Sequence, residues 1–260
     1  MIWAYFFIAI IITAISLRYN WWRKSESFKH ARVLMYHSID THKGDKFDKW
    51  RVKPDEFEKQ VAWMAKNGFT SYTISELTKF EILPLKSVAI TFDDGYGDNF
   101  TNAFEILKKY NFKATIYLVP NQKTNHWEHK NTKHISNMLN QEQILAMQKS
   151  GLIEFGSHTM SHLNLERASI EVVKDELVQS KQAIKSITGE ECTTFAYPYG
   201  KYNDDIVRLA KDAGYENAVI VKRGVYKNGD DKFHIKRIGV LGRESFFDFW
   251  LKFHKIRNKL

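Results

Sequence analysis

The chain has 260 residues, which is long enough for one large domain and an appendage. Its one cysteine, Cys192, excludes an intramolecular disulfide and a metal cluster held by thiolates. The formal net charge of +9 fits a protein that lies near anionic lipid headgroups. Because the positive charge is scattered and no nucleic-acid-binding motif is present, we expect no nucleic-acid partner.

The N-terminal segment is strongly apolar. Residues 2–17 form an almost unbroken apolar run at the short limit of a membrane-spanning helix, which needs about 17–25 residues. Tyr19, Trp21 and Trp22 follow this run and fit the aromatic belt of a membrane interface. Since no convincing small-residue cleavage site follows, the sequence predicts a transmembrane anchor helix within residues 1–24 and not a cleaved signal peptide.

The basic residues near this segment predict its orientation. No Lys or Arg precedes the apolar run, whereas several follow it: Arg18, Arg23, Lys24, Lys29 and Arg32. The positive-inside rule places the rest of the chain in the cytoplasm. We therefore expect a single-pass protein of the bacterial inner membrane with a cytoplasmic domain, and an exported domain is the alternative.

The middle of the chain alternates between predicted strands and predicted helices. Strands are predicted at residues 32–37, 70–73, 87–92, 113–119, 154–157, 194–197, 217–221 and 236–240. Helices are predicted at residues 54–67, 75–80, 98–110, 140–149, 169–188 and 203–213. Such alternation is typical of an α/β domain with a parallel sheet or barrel and helices outside it.

Two adjacent carboxylates follow one of these strands. The apolar strand Ser87–Phe92 stops at Asp93, Asp94 and Gly95. Where the chain turns, neighbouring carboxylates can point in different directions, so one can bind a metal while the other acts as a general base. The same three residues are also typical of an ordinary turn.

Two further strings add candidate ligands and a rigid turn. His158 and His162 are four residues apart, and such a pair can meet on one side of a helical turn and bind a metal, or be surface or capping histidines. The pair lacks the glutamate of an HExxH zincin. Residues 195–200, Phe-Ala-Tyr-Pro-Tyr-Gly, combine a short apolar strand with a turn, and an ordinary strand-to-helix turn would look the same.

In order and spacing, residues 91–95, 158–162 and 195–200 resemble the first three motifs of the polysaccharide deacetylases, which are carbohydrate esterase family 4 or the NodB homology domain. The resemblance covers roughly residues 31–240. The string Met35-Tyr36-His37 further resembles the deacetylases of biofilm poly-N-acetylglucosamine. The resemblance implies a distorted (β/α)7 barrel, which we expect to occupy residues 25–242.

The resemblance also implies roles for the matching residues. Asp93 would be the catalytic base, Tyr199 would donate its backbone N–H to the oxyanion, and Pro198 would shape that turn at the substrate. The implied metal ligands are Asp94, His158 and His162. The implied cofactor is a divalent metal, Zn²⁺ first, with Co²⁺, Mn²⁺ or Fe²⁺ as alternatives. The implied reaction is hydrolysis of the N-acetyl group of an amino sugar.

The chain departs from the family pattern in two places. The arginine that begins the third motif is Ala196 here, and the late Leu-x-His motif, which carries the usual general acid, is not visible. Arg237, at the start of the last strand, is our candidate for the missing arginine, although a structural ion pair is an equal alternative. His37, at the end of the first strand, is our candidate proton donor, with His234 as the second choice.

Two flanking segments complete the prediction. Residues 120–136 form a long polar loop at a strand end, where Trp127 could stack on a sugar. Residues 243–260 predict a basic, aromatic helix, which either lies on a membrane surface with lipid as its partner or packs against the barrel.

The sequence as a whole predicts a metal-dependent carbohydrate N-deacetylase. Its substrate would be an N-acetylated amino-sugar glycan of the cell envelope or a lipid-linked precursor of one. Two alternatives stay open: a catalytically degenerate member that binds glycan in a synthesis complex, and a deformylase that acts on a formamido sugar.

Overall fold

The structure is a computed structural model that describes residues 2–19, 22–132 and 134–257. Within these residues, seven parallel strands close into a barrel in the order β1, β10, β9, β8, β7, β6, β5 and back to β1. The closed strands are β1 (Arg32–Tyr36), β5 (Ser87–Phe92), β6 (Ala114–Leu118), β7 (Ile153–Ser157), β8 (Thr194–Ala196), β9 (Asn217–Arg223) and β10 (Ile235–Gly239). The predicted seven-stranded barrel is therefore confirmed.

One helix precedes the barrel in the chain, and the later helices pack around it. Their bounds are α1 (Ile2–Arg18), α2 (Pro54–Lys66), α3 (Ile74–Leu77), α4 (Glu105–Tyr110), α5 (Gln141–Lys149), α6 (Ile170–Thr188), α7 (Asp204–Asp212) and α8 (Phe246–Lys255). A π-helical turn, Asn99–Phe104, leads into α4. Short strands β2 (Ser38–Ile39) and β3 (Arg51–Val52) pair outside the barrel.

Strand alternation divides the apolar residues between two cores. Small side chains such as Val33, Ala89 and Ala196 belong to an inner cluster. Their chain neighbours, such as Leu34 and Ile90, belong to the larger cluster that includes the helices. Because successive side chains of a strand point to opposite faces, this alternation lets one strand serve both cores.

Two predicted elements are shorter than their sequence patterns suggested. Strand β4 (Thr70–Ser71) has only two residues and pairs with β5 alone, so it lies outside the closed barrel. Helix α3 ends after one turn at Leu77. The capping box of Thr73 and Glu76 starts α3, but no apolar face of several turns follows to extend it.

Helix α8 packs against the barrel. Phe249, Leu251 and Phe253 are buried, whereas Phe247 remains 48% exposed. The buried Arg32 ties this helix to the start of β1, since its guanidinium donates to the carbonyl of Phe253 at 3.1 Å. Of the two alternatives for this helix, packing against the barrel therefore describes its inner face. Residues 258–260, the end of the predicted segment, lie outside the described part of the chain.

Helix α1 has 17 residues, and its large apolar side chains are exposed. In the part of the chain that the structure describes, no helix combines the length and the apolar character needed to cross a membrane. The spanning anchor predicted within residues 1–24 is therefore not supported. Trp21, assigned to its aromatic belt, lies outside the described residues.

Candidate metal centre and active site

The candidate residues meet at the carboxyl ends of the barrel strands. His37 follows β1, Asp93 and Asp94 follow β5, and His158 follows β7. The turn Pro198–Gly200 follows β8. Parallel strands bring their carboxyl ends to one face of a barrel, so residues far apart in sequence come together there.

Asp94, His158 and His162 form a buried group that could hold a metal ion. One ligand atom from each residue lies within 4.8 Å of the others. The Nε2 atoms of His162 and His158 lie 3.2 and 3.5 Å from Oδ1 of Asp94. All three side chains are at least nine-tenths buried. Two imidazoles and one carboxylate are a usual protein ligand set for a catalytic zinc, with a position left for water.

The far side of each imidazole is held by a second contact. Nδ1 of His158 donates to the carbonyl of Ala196 at 2.7 Å, which leaves Nε2 as the lone-pair nitrogen of the neutral ring. Nδ1 of His162 lies 3.1 Å from the hydroxyl oxygen of Tyr199. These contacts orient both Nε2 atoms toward Asp94.

The residues themselves fit a bound cation. Oδ1 of Asp94 is buried and has no hydrogen-bond partner in the structure, although two imidazole nitrogens face it. Burial lowers the pKa of His158 to about 4 even though Asp93 and Asp94 are near, so this ring is neutral at physiological pH. For Asp94, burial alone would raise the pKa, but His162 and the other histidines lower it below the usual value. A neutral ring and an ionised carboxylate are the forms that bind metal.

Two residues of the candidate metal group and the neighbouring Tyr199 have left-handed backbone conformations. The φ angles are 74° for Asp94, 59° for His162 and 58° for Tyr199. A non-glycine residue in this region costs about 1 kcal/mol or more, and such residues cluster at functional sites. Gly95 continues the turn at φ 79°. The Asp-Asp-Gly string is thus a turn, as its composition suggested, and it also supplies the candidate ligand Asp94.

Asp93 is held by a forked ion pair with Arg237. Nη1 of Arg237 lies 2.6 Å from Oδ1 of Asp93, and Nη2 lies 2.8 Å from Oδ2. Arg237 also donates to the Thr91 hydroxyl at 3.0 Å and to the Ile220 carbonyl at 3.2 Å. The structure thus places Arg237, from β10, against Asp93, the residue predicted as the catalytic base.

This pairing controls the charge of Asp93. Burial would raise the pKa of Asp93, but the charge and hydrogen bonds of Arg237 lower it further, so the net pKa lies below the usual value for aspartate. Asp93 is therefore ionised and able to accept a proton near neutral pH. Because it is fully paired, its two oxygens are also fixed in orientation.

A cavity of about 430 Å³ opens beside both aspartates. His37 borders it, with its ring tilted against that of Trp50 at a centroid distance of 4.6 Å. Nδ1 of His37 is buried and has no hydrogen-bond partner in the structure. Burial lowers the pKa of His37, against the opposing effect of Asp94 and Asp93. His234 instead pairs with Asp231 at 2.6 Å, which argues against the second-choice donor.

The predicted substrate residues lie at the same cavity or in the turn beside it. Trp127 borders the cavity, and its ring stacks on His162 at 4.3 Å, so one face of the indole is already covered. Tyr199 borders it too and is 54% exposed. Pro198 is buried and begins the turn that carries Tyr199. The roles of these three residues stay predictions.

The sequence analysis missed several residues of the cavity wall. Glu128 is buried there, with one oxygen 2.8 Å from the Tyr96 hydroxyl and the other 2.6 Å from the Asn125 amide. Burial raises the pKa of Glu128. Trp50 and its neighbours also line the cavity. The polar loops at strand ends were the available signal, but loop sequences do not predict which side chains point inward.

These features define a class of protein: a parallel (β/α) barrel whose carboxyl face carries a paired carboxylate next to a group that could bind a metal. The polysaccharide deacetylase family model matches residues 82–218. A Bacillus subtilis protein provisionally named as a polysaccharide deacetylase is 32% identical over 223 residues, which are 84% of this chain and 74% of that protein. The chain belongs to the polysaccharide deacetylase family.

Two more relatives show what the family includes. The poly-beta-1,6-N-acetyl-D-glucosamine N-deacetylase of Staphylococcus epidermidis is 27% identical over 237 residues, covering 87% of this chain and 78% of its own length. The crystal structure of a polysaccharide deacetylase from Bacillus cereus superimposes with a TM-score of 0.74 at 28% identity, covering 87% of this chain and 68% of that one.

Proposed function

We propose that the protein is a metal-dependent N-deacetylase that acts on N-acetylglucosamine units of a cell-envelope glycan. The observation that best supports this function is that Asp93, paired with Arg237, borders the same cavity as the group of Asp94, His158 and His162. An ionised carboxylate beside a group that could bind a metal is the arrangement that hydrolysis of an amide requires. The name of the Staphylococcus epidermidis relative supports N-acetylglucosamine as the sugar.

The residues divide the chemistry among them. A divalent ion bound by Asp94, His158 and His162 would supply a Lewis acid for water and for the amide carbonyl. Asp93 accepts the proton of the attacking water, and Arg237 keeps it ionised and oriented.

Two steps remain, namely stabilisation of the oxyanion and protonation of the departing amine, and Tyr199 and His37 are the candidates for them. The backbone N–H of Tyr199 is our candidate donor to the oxyanion, and its left-handed conformation fixes the direction of that peptide. In its protonated form, His37 gives one proton to the departing amine and is left as a neutral imidazole. Its lowered pKa makes the imidazolium a stronger acid and favours this neutral product, and its contact with the Trp50 ring holds it at the cavity.

An assay of released amine and acetate tests this function. The substrates are oligomers of N-acetylglucosamine with β-1,6 and β-1,4 links, and bound metal is measured in the same samples. We expect turnover of an acetylated oligomer by the wild-type chain and none by Asp93→Asn, which keeps its metal. Bound metal without turnover of any acetylated sugar would contradict the proposal and favour a glycan-binding role. Turnover of a formamido sugar alone would favour a deformylase.

We propose separately that α1 associates with the inner membrane of a bacterium and that the barrel lies on its cytoplasmic side. The exposed apolar side chains of α1 and the basic residues after it support this proposal. In cells, Ile8→Lys with Ile12→Lys should release the protein from the membrane fraction. Ile82→Lys with Leu85→Lys, which changes two more exposed apolar residues outside α1, should not. Wild-type protein found in the soluble fraction would contradict the association.

The side of the membrane is tested by a reporter fused after residue 260 that fluoresces only in the cytoplasm. A bright reporter would support the cytoplasmic assignment and keep a lipid-linked precursor as a candidate substrate. A dark reporter on a full-length fusion would contradict that assignment and leave an exported polymer as the substrate.

A further inference from the structure

Two lysines line the candidate active-site cavity. Lys46 and Lys49 are exposed and belong to the short helical turn Lys46–Lys49 that forms one side of the cavity. Nζ of Lys46 lies 5.2 Å from the ring centroid of Phe47, and Nζ of Lys49 lies 4.8 Å from that of Trp50. Contacts with aromatic rings position an ammonium group but leave its charge in place.

The nearby carboxylates do not neutralise these lysines. Asp45 and Asp48 pair with the buried guanidinium of Arg51, at 2.5 and 3.0 Å. Across residues 2–19, 22–132 and 134–257, no ion pair within 4.0 Å involves Lys46 or Lys49. The cavity therefore carries two positive charges without a carboxylate in contact.

The other acidic groups of the cavity are paired, belong to the candidate metal group or are buried. Asp93 is paired with Arg237, and Asp94 faces the two histidines. Glu128 is buried, accepts from the Tyr96 hydroxyl and the Asn125 amide, and has a raised pKa. An added cation would meet little free negative charge on this side of the barrel.

The proposed reaction changes the charge of the sugar. Hydrolysis breaks the amide C–N bond, transfers the acyl group to the oxygen of water as a carboxylic acid that ionises, and leaves an amine that takes up a proton. A neutral acetamido group thus becomes an ammonium group, and the cavity lysines repel it.

Resting on the proposed function, we propose that Lys46 and Lys49 make the site select fully acetylated stretches of the glycan and reject stretches that already carry free amines. A lysine ammonium and a substrate ammonium roughly 8 Å apart at the edge of a protein repel each other enough to lower kcat/KM by about two- to sixfold for each lysine. The pair should therefore change selectivity by about tenfold at low salt, and screening should reduce the effect at high salt.

The test compares two β-1,6-linked tetramers of glucosamine, one fully acetylated and one with a single free amine, at a pH where that amine is protonated. The measured quantity is the ratio of kcat/KM for the two tetramers. In the variant Lys46→Gln with Lys49→Gln, we expect the preference for the fully acetylated tetramer to fall about tenfold. The control, Lys53→Gln with Lys66→Gln, removes the same charge from exposed lysines that do not line the cavity and should keep the preference.

Affinities of the two tetramers for Asp93→Asn, with and without the two cavity substitutions, are measured in parallel. They reveal the selectivity even if no variant turns over, so a failure of the proposed function is separated from a failure of this inference. A ratio that the cavity substitutions leave unchanged, or that the control alters equally, would overturn the inference. A preference that survives high salt unchanged would do the same.

Discussion

Replacing Arg237 tests whether the ion pair with Asp93 serves the reaction or only the fold. In Arg237→Met, Asp93 loses both hydrogen bonds of the guanidinium fork but stays buried at the cavity. Arg237→Lys keeps the charge but can no longer form the fork. The two variants therefore separate loss of charge from loss of orientation.

The magnitudes follow from burial. Removing one partner of a buried pair leaves an uncompensated charge and costs about 3–5 kcal/mol of unfolding free energy. Burial already favours a raised pKa for Asp93, and without the charge and hydrogen bonds of Arg237 this effect is no longer outweighed, so the pKa rises. More of the carboxyl is then protonated near neutral pH, so we expect activity to fall by about 10²–10⁴-fold and to recover partly as pH rises.

The assay is the pH profile of kcat/KM for each variant, with unfolding measured in parallel. Arg32→Lys is the matched control, because Arg32 is also fully buried but donates to backbone carbonyls such as that of Phe253, away from the cavity. We expect it to lose stability and keep the wild-type pH profile. In the background of Asp93→Asn, Arg237→Met should cost little further activity. Wild-type activity and pH profile in Arg237→Met would refute the reasoning.

Three further substitutions test the remaining roles. His158→Ala should lose the bound metal, which metal analysis of the purified protein would detect, and retained stoichiometric metal would contradict the ligand assignment. His37→Gln should slow the amide substrate by about 10²-fold or more but spare an aryl acetate, whose leaving group needs no proton. Equal losses on both substrates would argue against proton donation. Arg51 and other hydrogen-bond donors outweigh burial and lower the pKa of Asp45 to about 2. Because the folded pKa lies below the unfolded value of about 4, its contribution of about 2 kcal/mol is present above pH 4 and is lost as pH falls toward 2. The unfolding free energies of wild type and Asp45→Asn should therefore converge in that window, and a constant difference would contradict this reasoning.

The barrel was predictable because its strands are short, buried and regularly spaced. The six residues of Ser87–Phe92, four of them apolar and all of them buried, end directly at the two aspartates. A parallel barrel then requires the carboxyl ends of β7 and β8 to lie nearby, so the histidines and the Pro-Tyr-Gly turn join the aspartates without any knowledge of their contacts. The position of Arg237 on the last strand similarly made it a candidate.

The walls of the cavity were not predictable in the same way. Glu128 lies in a short 3₁₀ helix and Trp50 directly follows another, and such short turns have no period of two or 3.6 residues to say which side chain points inward. The burial of Glu128 depends on Tyr96 and Asn125, whose contacts with it arise only in the folded chain. The sequence also did not decide whether α1 spans a membrane, since the length of its apolar run lies at the boundary between spanning helices and shorter ones.

The central claim is that Asp94, His158 and His162 share one divalent cation. The most direct measurement is anomalous X-ray scattering from crystals grown with Zn²⁺, recorded on both sides of the zinc absorption edge. We expect a peak about 2.0–2.2 Å from an Asp94 oxygen and from Nε2 of both histidines. A peak at another place, or no peak there while zinc is present in the crystal, would contradict it.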